Sequence, residues 1–335
     1  MQALYLFLLT LLTQITLAQP SPKIILDVDA AEDVDDIGAI ATLHALANQN
    51  EAEILGILIS SNNEWVGPCV DAINTYYGRP NLPIGYQSEH QYGYLNTHDP
   101  HRPTPSRYAE RVAKEFPHDL NQSSDAPNAT TLCRQLLANQ PDHSVTIVTV
   151  GFLTNLRTLL NSPPDNISPL NGESLVTQKV LRWVCMGGIF PEGRFANGGG
   201  EYNVMYDTIA SVRAINDWPT PILFSGFKIG AAIKTGSRLK NTPESNPVRA
   251  CYLHYNNLSP RESWDQTAVL CAVRGHSPYW SLSEPGRCLM HAATPHGYTE
   301  WIPSPTQPHH YLTPKLPPEN LAQIIEDLMT QPPSP

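Results

Sequence analysis

The sequence predicts one α/β domain built on an open, mostly parallel sheet flanked by helices. Strand-like and helix-like segments alternate from residue 23 to residue 330 with no low-complexity linker, and such alternation yields parallel strands joined by helical crossovers. The polar clusters fall where the strands end, which in open α/β sheets is where ligands bind. A composition of 41% hydrophobic and 16% charged residues supplies a core and excludes a disordered chain.

Lys23–Asp29 is an apolar run ending in acid, and after it Ile37, Ile40, Ala41, Leu43, His44 and Leu46 recur at helical spacing within Asp35–Gln49. The unit repeats as Glu53–Ser60 with Val66–Tyr77, Leu82–Tyr86 with Tyr108–Phe116, and Val145–Val150 with Leu153–Asn161. It continues as Val180–Met186 with Thr208–Asp217, then Pro221–Ser225 and, later, the helix-like Trp264–Arg274. The strand ends read DVDAAEDVDD, SSNN, VGFLTN, MGG and SGF, and are expected to converge on one crevice. Pro-rich stretches at Asp99–Ser106, Pro163–Pro169 and Pro303–Pro318 read as ordered loops.

At the N-terminus, Ala3–Leu12 is apolar and Thr16-Leu17-Ala18 supplies small residues for cleavage, so residues 1–18 read as a signal peptide and 19–335 as the mature domain. The expected location is secreted or periplasmic. The run is shorter than the roughly 20 residues a membrane span needs, and no membrane partner is expected. With export, the six cysteines are expected to include disulfides, and six allow 15 pairings. Cys185 and Cys271, in apolar segments, also fit buried free thiols. The net charge of −10, with no basic patch, argues against a nucleic-acid partner and suits a small ligand or a metal cation. A homo-oligomer is compatible with the sequence, which does not specify one.

Asp27 to Asp36 contains six carboxylates in ten positions. Packed at one strand end they repel unless a cation compensates them, and calcium suits a flexible shell of oxygen donors. The alternative is that Asp33 or Asp35 caps the following helix.

With these residues the chain resembles the inosine-uridine nucleoside hydrolase family. The family pattern of a strand ending in Asp-x-Asp, with two acids opening the next helix, corresponds to Asp27-Val28-Asp29 and Asp35-Asp36 in a lengthened loop. The resemblance continues at Asn62-Asn63, Asp71–Pro80, Val150–Leu156, Met186–Gly188, Gly200–Asn203 and Trp264–Ala268, in order along nearly the whole mature chain. It implies a Rossmann-like core and calcium-dependent hydrolysis of the N-glycosidic bond of ribonucleosides, as in purine metabolism. Asp29, Asp36, Asp265 and the Val150 carbonyl are the implied metal ligands, and Asp35 the implied general base. The lengthened loop leaves Asp33 as the alternative base. Asn63 is implied at the ribose hydroxyls and Glu201 with Asn203 at the 5′ end, with Met186 and Asn197 as wall residues. Trp264 stands where several members carry a histidine acid. An indole has no proton to give but can stack on a base, and simple core packing is the other reading of Trp264. His90, His98 and His118 are loop candidates for contact with the base.

Ala31 replaces the family glycine, a costly exchange if that position takes a positive φ. Two other classes remain: a secreted nucleoside-binding protein without turnover, and a metal-dependent phosphohydrolase of the haloacid-dehalogenase type that would use Ser60 and Lys228.

Overall fold

The structure is a computed structural model that describes residues 21–87, 106–292 and 297–334. Six strands lie where the apolar runs predict: β1 (Lys23–Val28), β2 (Glu53–Ile59), β3 (Ile84–Tyr86), β4 (Val145–Thr149), β5 (Val180–Met186) and β6 (Ile222–Ser225). The short β7 (Lys234–Thr235) pairs with β8 (Arg261–Glu262) as a separate ribbon. β9 (Trp280–Leu282), the hairpin of β10 (Gly286–His291) with β11 (Tyr298–Pro303), and β12 (His310–Pro314) complete the strands.

The main sheet has the order β3-β2-β1-β4-β5-β6-β12-β9. Its neighbours are parallel except at the β12–β9 edge. β1 is central, buried on both faces, which accounts for its unbroken run Ile24-Ile25-Leu26. β12 corrects the reading of Pro303–Pro318 as a loop, since His310 and Tyr311 pair with Leu223 and Phe224 of β6. Its five residues are too few for a clear alternation pattern, and its last position is a proline at the strand end, where that residue is tolerated.

The six cysteines are buried free thiols, so the expected disulfides are not formed. Cys69 and Cys251 come nearest, with Sγ atoms 3.8 Å apart. The apolar N-terminal run and most of the stretch Asp99–Ser106 lie outside the described residues. Among the described residues, no helix is long and apolar enough to cross a membrane.

Two close approaches position the carboxyl edge of the sheet. A Cβ at Gly38, in the helix Asp35–Asn48, would fall 2.2 Å from Gln266 Nε2, so the helix Trp264–Arg274 packs tightly against it. A Cβ at Gly151 would fall 2.5 Å from Asp29 Cβ, so the chain leaving β4 runs directly beside that aspartate.

Candidate active site

The acid-rich loop after β1 leads into the helix Asp35–Asn48, whose first turn carries Asp35 and Asp36. Carboxylates there are favoured by the helix dipole. No side chain caps this helix, and its N-cap residue is Val34, which removes capping as the reason for the acids. Asp36 Oδ1 accepts the Asp29 backbone N–H at 3.0 Å, and Asp35 Oδ2 accepts the Asp265 N–H at 3.4 Å. Ligand oxygens of Asp35, Asp36 and Asp265 all lie within 4.8 Å of one another.

These acids face a cavity of about 350 Å³, within the range of small-ligand pockets. Seven acids and two arginines line it. Among the described residues, no Lys or Arg forms an ion pair with Asp29, Asp35, Asp36 or Asp265. Burial first, then mutual repulsion, raises the proton affinity of all four well above the ordinary carboxylate range. An oxygen-only cluster under that repulsion fits a hard divalent cation.

The Val150 carbonyl borders the same cavity and accepts the Asn203 Nδ2–H at 2.9 Å. That amide also reaches the carbonyl (3.3 Å) and sulfur (3.1 Å) of Met186, tying the ends of β4 and β5 together. Glu201 caps the helix Tyr202–Tyr206 through the N–H groups of Asn203 and Val204 and also accepts the Gly188 N–H at 3.0 Å. Burial pushes its carboxyl up to about 7.

Ten of the residues singled out from sequence therefore border one cavity: Asp29, Asp33, Asp35, Asp36, Val150, Met186, Glu201, Asn203, Trp264 and Asp265. Asn63 and Asn197 do not line it. Asn63 is buried with Oδ1 accepting the Trp65 N–H at 2.9 Å, a local turn contact. Asn197 is exposed and bonded to Gly199 N–H at 3.0 Å. His118 is also off the wall, its Nε2 held by the Ala113 carbonyl at 2.7 Å, while His90 and His98 lie outside the described residues. The phosphohydrolase candidates fail as well. Ser60 is buried and donates to the Val28 carbonyl at 3.1 Å, and Lys228 pairs with Glu192 away from the cavity.

Sequence reading missed several wall residues. Arg261, on β8, clasps both carboxylate oxygens of Asp33 and reaches Glu262 at 2.8 Å. Tyr202, also on the cavity wall, donates to Glu32 at 2.8 Å. Arg107, Phe152, Phe227 and Tyr255 complete the missed set. Phe152, Tyr202 and Phe227 lie inside segments already marked as strand ends or motifs, and Arg261 stands three residues ahead of Trp264, whereas Arg107 and Tyr255 adjoin no motif.

Ala31 adopts φ 120°, a conformation that disfavours any residue with a Cβ. Such a residue costs about 1–3 kcal/mol and persists only where its surroundings fix it. Tyr108 supplies that fixation: its buried hydroxyl donates to the Asp33 carbonyl at 2.7 Å and accepts the Ala31 N–H at 3.0 Å. Tyr108→Phe is expected to lower stability by roughly 1–3 kcal/mol, since the buried Ala31 N–H and the part-buried Asp33 carbonyl lose their partner, and to weaken cation binding. Denaturant melts with and without calcium check this. A neutral outcome in both would show that the loop holds itself.

A buried acidic pocket at the carboxyl edge of an open α/β sheet defines an enzyme of the α/β class whose chemistry centres on carboxylates. Residues 24–274 match the model of the inosine-uridine preferring nucleoside hydrolases, and the chain belongs to that family of glycosidases, which hydrolyse N-glycosidic bonds. Solved structures of the same fold include a plant nucleoside hydrolase, PpNRh1, at 18% identity and TM-score 0.65, covering 93% of this chain and 100% of that one. An inosine-guanosine nucleoside hydrolase is 16% identical with TM-score 0.63, over 92% and 98% of the two chains. The type III effector protein XopQ, solved with adenosine diphosphate ribose, is 12% identical with TM-score 0.66, over 93% and 94%. At these identities the likeness is one of fold. No curated protein matches the chain.

Proposed function

We propose that the protein is a calcium-dependent ribohydrolase that splits ribonucleosides into ribose and free base. The observation that carries this reading is the buried cluster of Asp35, Asp36 and Asp265 beside Asp29, which among the described residues has no Lys or Arg in ion-pair contact and only the nearby charge of Arg261 to offset it. Asp29, Asp36, Asp265 and the Val150 carbonyl would hold the cation, an all-oxygen donor set suited to calcium. Bound there, calcium supplies the charge that engages the ribose hydroxyls and a water.

The chain's own groups do the rest. Asp35 accepts the proton of the attacking water: it is buried, held by the Asp265 N–H, and its raised proton affinity suits a base. Asp33 is committed to Arg261 and does not serve as base. A single base opposite the leaving group leads to direct displacement by water, with no covalent intermediate. Trp264, fixed by donation from Nε1 to the Phe227 carbonyl at 2.9 Å, borders the place of the nucleobase. Export to a secreted or periplasmic location rests on the sequence of residues 1–18 alone.

The test is release of free ribose from a panel of nucleosides, with and without a calcium chelator. The native protein is expected to release ribose and to lose at least a hundredfold in rate on chelation. No ribose from any nucleoside, with binding retained, would leave a nucleoside-binding protein without turnover.

A further inference from the structure

The two sides of the cavity differ in chemistry. One is the part of the wall joined by hydrogen bonds of Tyr202 with Glu32 and of Asn203 with Glu201, and it holds no cation. The other is a ladder of guanidinium groups and rings. Arg107 Cζ lies 5.8 Å from the Tyr255 ring centroid, Arg261 Cζ lies 5.8 Å from the same centroid, and Arg261 Cζ lies 5.1 Å from that of Trp264. The charge of Arg261 is committed to Asp33 and Glu262. Arg107 is exposed to the cavity and forms no ion pair among the described residues, while its backbone N–H donates to the Ala31 carbonyl at 3.1 Å and fixes its root beside the acidic loop.

We infer that this ladder receives the departing base, and that Arg107 stabilises the negative charge developing on it, which selects ribonucleosides whose oxo-base leaves as an anion. The inference rests on the ribohydrolase reading above. With the ribose over the carboxylate cluster, a base that gains negative charge is repelled by the acidic side and attracted to the side with cations and aromatic faces. The neutral 5′-hydroxyl belongs to the other side, where hydrogen-bonding groups suffice.

In the reaction, the water oxygen bonds to C1′ as the C1′–N bond breaks, and the electron pair of that bond passes into the base and its oxo groups. The water proton goes to Asp35, and the base anion later takes a proton from solvent, giving ribose and free base. Arginine keeps its proton throughout the neutral range, so its help is charge and N–H donation without proton transfer. Charge helps most where the base spreads its negative charge over its exocyclic oxo groups, as in inosine, xanthosine and uridine. It helps less where an exocyclic amino group replaces an oxo group, as in adenosine, which has none, and in cytidine, which keeps one.

The experiment compares the full-length native protein with Arg107→Ala and Arg107→Lys in calcium, on inosine, xanthosine, adenosine and 4-nitrophenyl riboside, whose leaving group departs as an anion unaided. For inosine and xanthosine, kcat is expected to fall at least tenfold in Arg107→Ala and to recover most of that loss in Arg107→Lys. The loss on the aryl riboside is expected to be at least fivefold smaller. Equal losses on all substrates, or none, overturn the role of Arg107 while the ribohydrolase reading stands. Failure of the native protein on every riboside overturns both.

Discussion

Asp35→Asn is expected to lose between about 10² and 10⁴ in kcat, the contribution of a positioned general base, with KM little changed. The amide keeps the size of the carboxylate and can still accept the Asp265 N–H, so the fold and the neighbouring carboxylates stay in place. What it cannot do is take a proton from water. Asp33→Asn is the informative partner, because Asp33 stands two residues earlier in the same loop and borders the same cavity. Its carboxylate is turned to Arg261, so its loss should disturb the ladder and cost no more than about tenfold, well below the range for a general base. Single-turnover rates for both variants decide the matter. If Asp35→Asn keeps a third or more of the native rate while Asp33→Asn is inactive, the base has been assigned to the wrong aspartate.

Calcium is expected to raise the melting temperature, and to raise it more at pH 7.5 than at pH 5. Burial and mutual repulsion raise the folded-state proton affinity of Asp29, Asp35, Asp36 and Asp265. The unfolded chain ionises them near the ordinary value of about 4. Above that point the folded, metal-free chain binds more protons than the unfolded one, so its stability falls as pH rises. Below it both states are protonated and the penalty disappears. The cation binds the ionised cluster and relieves the repulsion where it is greatest. At a hundredfold excess over Kd the gain is about 2.7 kcal/mol, roughly 4 °C for a chain of this size. Asp265→Asn should lose most of this response. A melting temperature indifferent to millimolar calcium at neutral pH would remove the cation from the site.

Most of the fold was legible because its signals are local. β1, β2, β4 and β5 are predominantly apolar runs, and the helices beside them repeat at helical spacing, so each announces itself within a short window. β12 did not, since its five residues, two paired with β6 and three with β9, are too few to carry a pattern, and its place in the sheet is set by tertiary packing alone. The acidic half of the site was legible for a chemical reason: six carboxylates in ten positions call for compensation wherever they fold. The other half was not. Arg107, Tyr255 and Arg261 belong to separate segments with no common spacing, and only the fold stacks them. Asn63 shows the converse limit. Its residue type and its place after a strand suit a ribose contact, while the fold places it off the cavity wall, with Oδ1 accepting a backbone N–H two residues on.

The spacing of the carboxylates along the chain also bears on kinetics. Asp35 and Asp265 meet across 230 residues, and they meet only once the helix Trp264–Arg274 has docked where Gly38 leaves room for it. Contacts of such separation form late, because the entropy of closing the intervening loop is lost before any contact repays it. A bound ion therefore acts on an arrangement that the folding transition state does not yet contain. Interactions absent from the transition state slow unfolding and leave the folding rate nearly untouched. Calcium at this site would thus lengthen the lifetime of the folded chain without hastening its formation.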